Sequence, residues 1–182
     1  MLKFKEGDVA CFEKLLDKYE TPLLNMIYRL IGDRREAEEL AQEVFLRVYK
    51  SASRYEVRAK FSTWLYRIAT NLCLNELRKK GQMRIESLDT PVSTEEGEVN
   101  REIEDGRRAS PPELMEQKEQ QAIVREAINS LPENQRIAVI LNRYEELSYE
   151  EMAHCLNLSV SAVKSLLHRA KESLKVRLMP YM

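Results

Sequence analysis

The chain has 182 residues, of which 43% are hydrophobic, so it is long enough to bury one or two small cores. No apolar run approaches the roughly 20 residues that a membrane-spanning helix requires, and the amino terminus lacks the apolar core of a signal peptide. We therefore expect a folded protein of the cytoplasm and exclude an integral membrane protein.

The formal net charge of −1 hides a segregation of charge along the chain. Between Lys60 and Arg84 the basic residues are opposed by a single acid, Glu76. Closely spaced acids follow at Glu95, Glu96, Glu98, Glu102, Glu104 and Asp105. Because the local field decides whether phosphate is attracted, a nearly neutral chain can still carry basic surfaces that bind nucleic acid.

The sequence shows no catalytic constellation. His154 and His168 are the only histidines, and no GxxxxGK[ST] loop, metal-ligand cluster or nucleophile–base set is visible. Cys11, Cys73 and Cys155 lie far apart without a Cys-x-x-Cys pair, which indicates reduced core side chains, a redox or metal role being the weaker alternative. We expect no enzyme activity, no cofactor, no bound metal and no small-molecule substrate.

Apolar residues recur at spacings of three and four and only five glycines occur, which predicts an all-α fold. Residues 87–112 are rich in proline, glycine and charge, so we expect a flexible acidic linker there, with a long surface loop as the alternative. The linker would join two small helical domains, residues 1–86 and 113–182. The predicted helices run from Asp8 to Leu30, Arg34 to Tyr49, Ser62 to Lys80, Pro112 to Asn129, Glu133 to Arg143, Tyr149 to Leu156 and Val160 to Leu178.

The second predicted helix is amphipathic. Its apolar stripe consists of Ala37, Leu40, Ala41, Val44, Phe45 and Val48. The polar face opposite consists of Glu36, Glu39, Gln42, Glu43 and Arg47. Such a face is either simply solvated or a surface on which another protein docks, and the helix alone does not decide between the two.

The third predicted helix carries two different faces. One is apolar, with Phe61, Leu65, Ile68 and Leu72; the other carries Arg67, Asn71, Asn75 and Arg78, with Trp64 at the margin between them. Amides hydrogen-bond base edges, arginines hold phosphate and aromatic rings stack on bases, so the second face suits unstacked nucleotides. The alternative is that Trp64 belongs to the core and the asparagines are neutral surface residues.

The segment from Leu147 to Leu178 predicts a helix-turn-helix. Ser148 and Ser159 are N-caps, Glu151 completes a capping box, and Asn157 suits a left-handed turn between the helices. The second helix buries Val163, Leu166, Leu167, Ala170 and Leu174 and exposes Ser161, Lys164, Ser165, His168, Lys171 and Lys175. In this motif the exposed face lies along base edges and phosphates, although a solvated helix pair is the alternative.

The two halves together resemble the sigma factors of bacterial RNA polymerase. Phe12 to Arg84 is similar to their domain two, through FEKLLDKYETPLLNMIYRLIGDRREAEELAQEVFLRVYK and FSTWLYRIATNLCLNELRKK. Glu133 to Leu178 is similar to their domain four, and the segment LPENQR precedes and opens it. No third domain separates the two, as in the extracytoplasmic-function group. A lone helix-turn-helix is a weak signal, but these segments in this order are specific.

The resemblance implies a role for each polar face. The helix containing AEELAQEVF would dock on the clamp coiled coil of the largest polymerase subunit through Glu39, Gln42 and Glu43. The third helix and the loop after it would capture a base flipped from the non-template strand of the −10 element, with Asn71 and Asn75 near the pocket and Trp64 beside it. The positions that meet the −35 element correspond to Lys164, Ser165, His168 and Arg169. Family members often carry arginine in place of Lys164, and lysine cannot form the same bidentate contact with guanine.

The linker bears on how the two domains would work together. A fully extended segment of about 25 residues spans at most about 85 Å, whereas the average end-to-end distance of a flexible one is nearer 28 Å. Promoter elements about 17 base pairs apart lie about 58 Å apart. We therefore expect core RNA polymerase to set the separation of the two domains on promoter DNA, and expect weak DNA binding without it. The resemblance also implies an anti-sigma factor that covers both domains.

Two other functions fit part of the sequence. A helix-turn-helix transcriptional regulator without a role in polymerase specificity would carry a receiver or ligand domain with strands, whereas Phe12 to Arg84 predicts only helices. A helical adaptor that binds proteins and no nucleic acid would tolerate charge reversal at Lys164 and Lys171.

Overall fold

The computed structural model describes residues 1–57, 59–86 and 111–181. These residues form α-helices and short 3₁₀ turns without a β-strand, which confirms the predicted all-α class. The helices are α1 (Leu2–Lys5), α2 (Ala10–Ile31), α3 (Arg34–Lys50), α4 (Phe61–Glu86), α5 (Pro111–Asn129), α6 (Glu133–Arg143), α7 (Tyr149–Leu156) and α8 (Val160–Leu178). None of them combines the length and apolarity that crossing a bilayer requires.

The predicted linker, residues 87–112, lies outside the described residues except at its end. Pro111 and Pro112 belong to α5, which therefore begins one residue before its predicted start at Pro112. Proline is well suited to the first turn of a helix, where its missing N–H would have had no partner. We call residues 1–86 the amino-terminal half and residues 111–181 the carboxy-terminal half.

The observed helix bounds differ from the predicted ones chiefly in the amino-terminal half. α4 continues through Gly81 to Glu86 rather than ending at Lys80. A glycine costs a helix interior only about 1 kcal/mol, which neighbouring turns can offset. The short helix α1 was not predicted; it places Phe4 against Phe12 and Tyr49, with ring centroids 4.8 and 5.2 Å apart.

The turn between α2 and α3 is defined by two adjacent residues. Gly32 ends α2 in the left-handed region, at φ 84°, which glycine adopts without a steric penalty. The Asp33 carboxylate then accepts a hydrogen bond from the N–H of Glu36 at 2.8 Å and caps α3. Helix α3 therefore begins at the predicted residue.

The predicted apolar stripe of α3 forms part of the core of the amino-terminal half, together with buried side chains of α2 and α4. Ala37, Val44 and Val48 are fully buried where α3 packs against α2 and α4, whereas Leu40 is only half-buried. The carboxy-terminal half has its own buried centre, formed by Ile137, Ile140, Leu141, Met152 and Val163 of α6, α7 and α8. Two helical units are therefore present, as predicted.

The two halves do not stand apart. Helix α4 packs against α6 and α7, and α2 packs against α6, so that the buried side chains of both halves form one continuous hydrophobic core. The packing uses a third face of α4, which the sequence did not predict. That face consists of Thr63, Tyr66, Thr70 and Cys73, all of them buried.

Candidate nucleic-acid interface

The helix-turn-helix is built by local hydrogen bonds. The Ser148 hydroxyl accepts from the N–H of Glu151 at 3.2 Å, and the Glu151 carboxylate accepts from the N–H of Ser148 at 2.9 Å. Asn157 turns the chain in the left-handed region, at φ 54°. The Ser159 hydroxyl accepts from the N–H of Ala162 at 3.2 Å and starts α8. Both predicted caps, the capping box and the turn are confirmed.

Helix α8 presents the predicted polar face to solvent. Val163 and Ala170 are fully buried on the opposite side, and Leu166, Leu167 and Leu174 pack against the core. The exposed side chains are Ser161, Lys164, Ser165, His168, Arg169, Lys171 and Lys175. Arg169, which a regular helical wheel places partly off this face, is exposed as well. The surface carries four cationic side chains and few acids, so it would attract a phosphate backbone.

Two contacts shape the amino-terminal end of this face. The Lys164 ammonium lies 5.7 Å from the centroid of the Tyr149 ring, within the range of a cation–π interaction. The Ser165 hydroxyl donates to the backbone carbonyl of Ser161 at 3.0 Å, and the Ser159 and Ser161 hydroxyls lie 2.9 Å apart. The Tyr149 ring therefore favours side-chain conformations of Lys164 that keep its ammonium near the ring. The hydroxyls of Ser161 and Ser165 already take part in contacts within the amino-terminal turns of α8.

A second polar face lies on α4. Arg67, Asn71, Asn75 and Arg78 are all exposed, on the side of the helix away from its buried residues. Trp64 is half-buried and packs with Tyr55 and Phe61, at centroid distances of 4.9 and 5.9 Å. The tryptophan thus belongs to an aromatic cluster at the start of α4 and supports the polar face from its edge.

The outer face of α3 is acidic and exposed. Glu39 pairs with Arg35 at 3.3 Å and Glu43 with Arg47 at 2.7 Å. Glu36 differs from them, because it reaches Lys80 of α4 and takes part in holding the two helices together. Gln42 is exposed and lies at the rim of a groove between α2 and α3.

This groove was not predicted from the sequence. It has a volume of about 690 Å³ and is lined mainly by apolar side chains. Leu46 and Tyr49, on the groove wall, are 45% and 51% exposed. Neither belongs to the predicted stripe of α3, and a helical wheel would have placed Leu46 beside Glu39 and Glu43. The position of Leu46 and Tyr49 among acidic residues of the outer face of α3 is the sequence feature from which this surface could have been predicted.

The cysteines differ in their surroundings. Burial raises the pKa of Cys73 and of Cys155 to about 12, so both are unreactive thiols, as expected of core side chains. Cys11 is only half-buried, and its thiol donates to the Asp8 carboxylate at 3.1 Å, which raises its pKa. No group of side chains suited to a metal ion occurs among residues that the structure describes.

Comparison with known families gives the same division of the chain. Residues 15–83 match Sigma-70 region 2, and residues 121–174 match Sigma-70, region 4. Both matches are to a single class of proteins, the sigma-70 factors. The first contains α3 and most of α4, and the second contains the helix-turn-helix.

Individual relatives cover almost the whole chain. The ECF RNA polymerase sigma factor SigW of Bacillus subtilis is 35% identical over 176 residues, spanning 96% of this chain and 92% of the relative. The RNA polymerase sigma-H factor of Pseudomonas aeruginosa is 34% identical, spanning 98% and 91%. The chain therefore belongs to the sigma-70 family of RNA polymerase sigma factors, in its extracytoplasmic-function group.

Two solved structures share the fold. The sigma factor RpoE of Bartonella quintana, in complex with the anti-sigma factor NepR, is 22% identical with a TM-score of 0.70, over 92% of this chain and 96% of that one. CnrH, in complex with the cytosolic domain of CnrY, is 18% identical with a TM-score of 0.69, over 97% and 92%. At these identities the likeness describes the backbone arrangement of the helices.

Proposed function

We propose that the chain is the promoter-specificity subunit of RNA polymerase and that its three polar faces contact three different parts of the transcription complex. Membership in the sigma-70 family supports binding to core RNA polymerase and recognition of promoters in transcription initiation. The observation that supports the two proposed DNA contacts is the difference in burial between opposite faces of the same helix. On both α4 and α8, one face is buried in the core while a face of amides, hydroxyls and cations stays exposed.

The polar face of α4 is the proposed contact with the −10 element. Asn71 and Asn75 would hydrogen-bond a base that has left the stack, while Arg67 and Arg78 hold the strand by its phosphates. Extruding a base costs a few kcal/mol, and stacking returns about 1–3 kcal/mol per base. Promoter opening is then capture of an exposed strand through binding energy, so the chain needs no catalytic group and is not an enzyme. Trp64 would support the pocket through its packing with Tyr55 and Phe61.

The polar face of α8 is the proposed contact with the −35 element. Its members are Ser161, Lys164, Ser165, His168, Arg169 and Lys171. Lysine acts as a point charge, so Lys164 would recognise a guanine or a phosphate without the bidentate geometry of arginine. The Tyr149 ring beside it would limit the positions that its ammonium group reaches.

The acidic face of α3 is the proposed contact with the largest polymerase subunit, through Glu39, Gln42 and Glu43. Promoter DNA and core polymerase place the protein in the cytoplasm. Two proteins of the same fold were solved in complexes, one of them with an anti-sigma factor, and we propose that an anti-sigma factor also controls this chain. A regulator without a polymerase role is not favoured, because both halves match sigma-70 regions.

A pair of alanine substitutions tests the −10 assignment. The variant Asn71→Ala with Asn75→Ala should bind core polymerase with unchanged affinity but open promoter DNA at least tenfold more slowly, measured with a fluorescent base analogue in the −10 element. Asn134→Ala is the matched control, because Asn134 is an exposed asparagine at the start of α6, in the carboxy-terminal half. Opening at the native rate in the double variant would contradict the assignment.

A further inference from the structure

The short helix α1 is tied to the connection between α3 and α4. The Lys5 ammonium of α1 donates a hydrogen bond to the backbone carbonyl of Tyr55 at 3.0 Å, in a partly buried position, and the two residues lie 50 positions apart in the sequence. Hydrogen bonds from a charged donor are shorter and stronger than neutral ones. The bond therefore joins the first helix of the chain to a segment that local sequence would not bring near it.

The other contacts of α1 hold Lys5 in place. Phe4 is buried, and its ring centroid lies 4.8 Å from that of Phe12 in α2 and 5.2 Å from that of Tyr49 in α3. Aromatic pairs at these distances stabilise a contact beyond the area that they bury. Phe4 thus anchors α1 on two helices, so that the neighbouring Lys5 side chain is presented to Tyr55.

Tyr55 lies in a connection with little regular structure. Helices α3 and α4 are joined by residues 51–60, whose described members form a single 3₁₀ turn, Ala52–Arg54. Tyr55 follows this turn, and its N–H donates to the carbonyl of Ala52 at 3.1 Å. A segment outside a helical hydrogen-bond ladder depends on individual contacts for its position, so the bond from Lys5 bears directly on where Tyr55 lies.

The Tyr55 side chain connects this segment to the start of α4. It is only 7% exposed, and its ring centroid lies 4.9 Å from that of Trp64. Trp64 packs in turn on Phe61, and both belong to the first turn of α4. Leu65, the next residue, is fully buried and fixes α4 in the core. How closely the aromatic cluster packs therefore depends on the position of Tyr55.

We propose that Lys5 is a positioning residue for recognition of the −10 element. Its hydrogen bond holds Tyr55 against Trp64 and so keeps the aromatic cluster in the arrangement that supports the polar face of α4. In this role the ammonium touches neither a base nor a phosphate and acts through Tyr55. The consequence for promoter opening rests on the proposed function, whereas the effect of Lys5 on the cluster does not.

Fluorescence of the free chain tests the effect on the cluster, because Trp64 is the only tryptophan. Lys5→Met keeps an apolar stem and removes the ammonium. It should raise the rate constant for quenching of Trp64 by acrylamide at least about twofold, since the loss of one hydrogen bond shifts an equilibrium between placed and displaced Tyr55. Because Lys5 is exposed, helix content measured by circular dichroism should stay native.

Two further lysine variants are the controls. Lys5→Arg retains a charged donor and should leave the quenching of Trp64 close to native. Lys3→Met removes the same charge from an exposed position of the same helix, and residues two positions apart on a helix do not share a face. Native quenching in Lys5→Met would overturn the proposal, as would an equally large change in Lys5→Arg or Lys3→Met.

A double variant tests whether Phe4 acts through Lys5. Phe4→Ala removes the anchor of α1 and should raise the quenching of Trp64 to about the level of Lys5→Met. Both changes break the same contact with Tyr55, so combining them should raise quenching no further. Additive increases would mean that Phe4 and Lys5 affect the cluster independently, which would overturn the role of α1 as the support of Lys5.

Promoter opening tests the consequence for transcription. With core RNA polymerase, Lys5→Met should open promoter DNA about five- to tenfold more slowly, the effect of one lost hydrogen bond, while binding polymerase with unchanged affinity. Lys5→Arg should open it at the native rate. An unchanged opening rate in Lys5→Met, despite altered quenching, would overturn the role in −10 recognition. If the native chain opened no promoter, the proposed function would fail, and the quenching result would still decide whether Lys5 positions the cluster.

Discussion

Reversing one charge on α3 tests the proposed docking surface with little disturbance of the fold. In Glu43→Lys the pair with Arg47, 2.7 Å long, is lost and two like charges face each other one helical turn apart. Exposed pairs at this spacing contribute about 0.3–0.5 kcal/mol and like charges cost a similar amount, so the free energy of unfolding should fall by less than about 1 kcal/mol. Glu39→Lys, which breaks the 3.3 Å pair with Arg35, should behave in the same way.

The effect on polymerase binding should be much larger. Removing one partner of a charge contact that is buried in an interface costs about 2–5 kcal/mol, which corresponds to about 30-fold to several thousand-fold in the dissociation constant. We expect at least a 30-fold weaker complex for Glu43→Lys, measured by titrating fluorescently labelled chain with core RNA polymerase. Asp17→Lys, an equal change of charge at an exposed position of α2, is the control and should bind within about threefold of the native chain. Native affinity in Glu43→Lys, or an equal loss in the control, would refute the docking site.

Three further predictions follow from individual contacts. Ser148→Ala removes the hydroxyl of the capping box and should cost about 1 kcal/mol, lowering Tm by about 2–4 °C in calorimetry; no shift would mean that the cap is not formed. Burial raises the pKa of Glu145 against the opposing effects of Tyr66 and Arg29, so the stability from this group is complete below its unfolded pKa and is lost as the pH rises through the folded value. Glu145→Gln should therefore gain stability relative to the native chain as the pH rises above about 4 in urea unfolding, and a difference that does not change with pH would contradict this. For Lys171→Ala, the affinity of the holoenzyme for duplex DNA carrying the −35 element should be measured at several salt concentrations. The slope of log affinity against log salt concentration should become shallower by about 1, and an unchanged slope would mean that Lys171 does not contact a phosphate.

The parts of the fold that sequence predicted well are those determined by nearby residues. Helices α6, α7 and α8 have their predicted bounds, because caps at Ser148 and Ser159 and a left-handed turn at Asn157 are local chemistry. The polar faces of α4 and α8 were predicted for a related reason. Helical periodicity assigns each residue to a face without knowledge of its distant neighbours.

The contact between the halves could not be predicted in this way. Thr63, Tyr66 and Thr70 look like ordinary polar residues in the sequence, and only packing against α6 and α7 makes them buried. Glu145 likewise has no unusual local pattern, since its interacting side chains, Arg29 and Tyr66, lie 116 and 79 positions earlier in the sequence. Such pairings depend on how two helical units meet, which is information that periodicity does not contain.

The most direct test of the account is transcription by core RNA polymerase from a library of promoter fragments, with and without the chain, in moderate salt. We predict start sites that occur only when the chain is added and that share a −10 and a −35 element at a fixed spacing. Asn71→Ala with Asn75→Ala should lose these starts while still binding polymerase. No dependent start sites, together with binding of the chain to duplex DNA in the absence of polymerase, would contradict a sigma factor and favour a helix-turn-helix regulator.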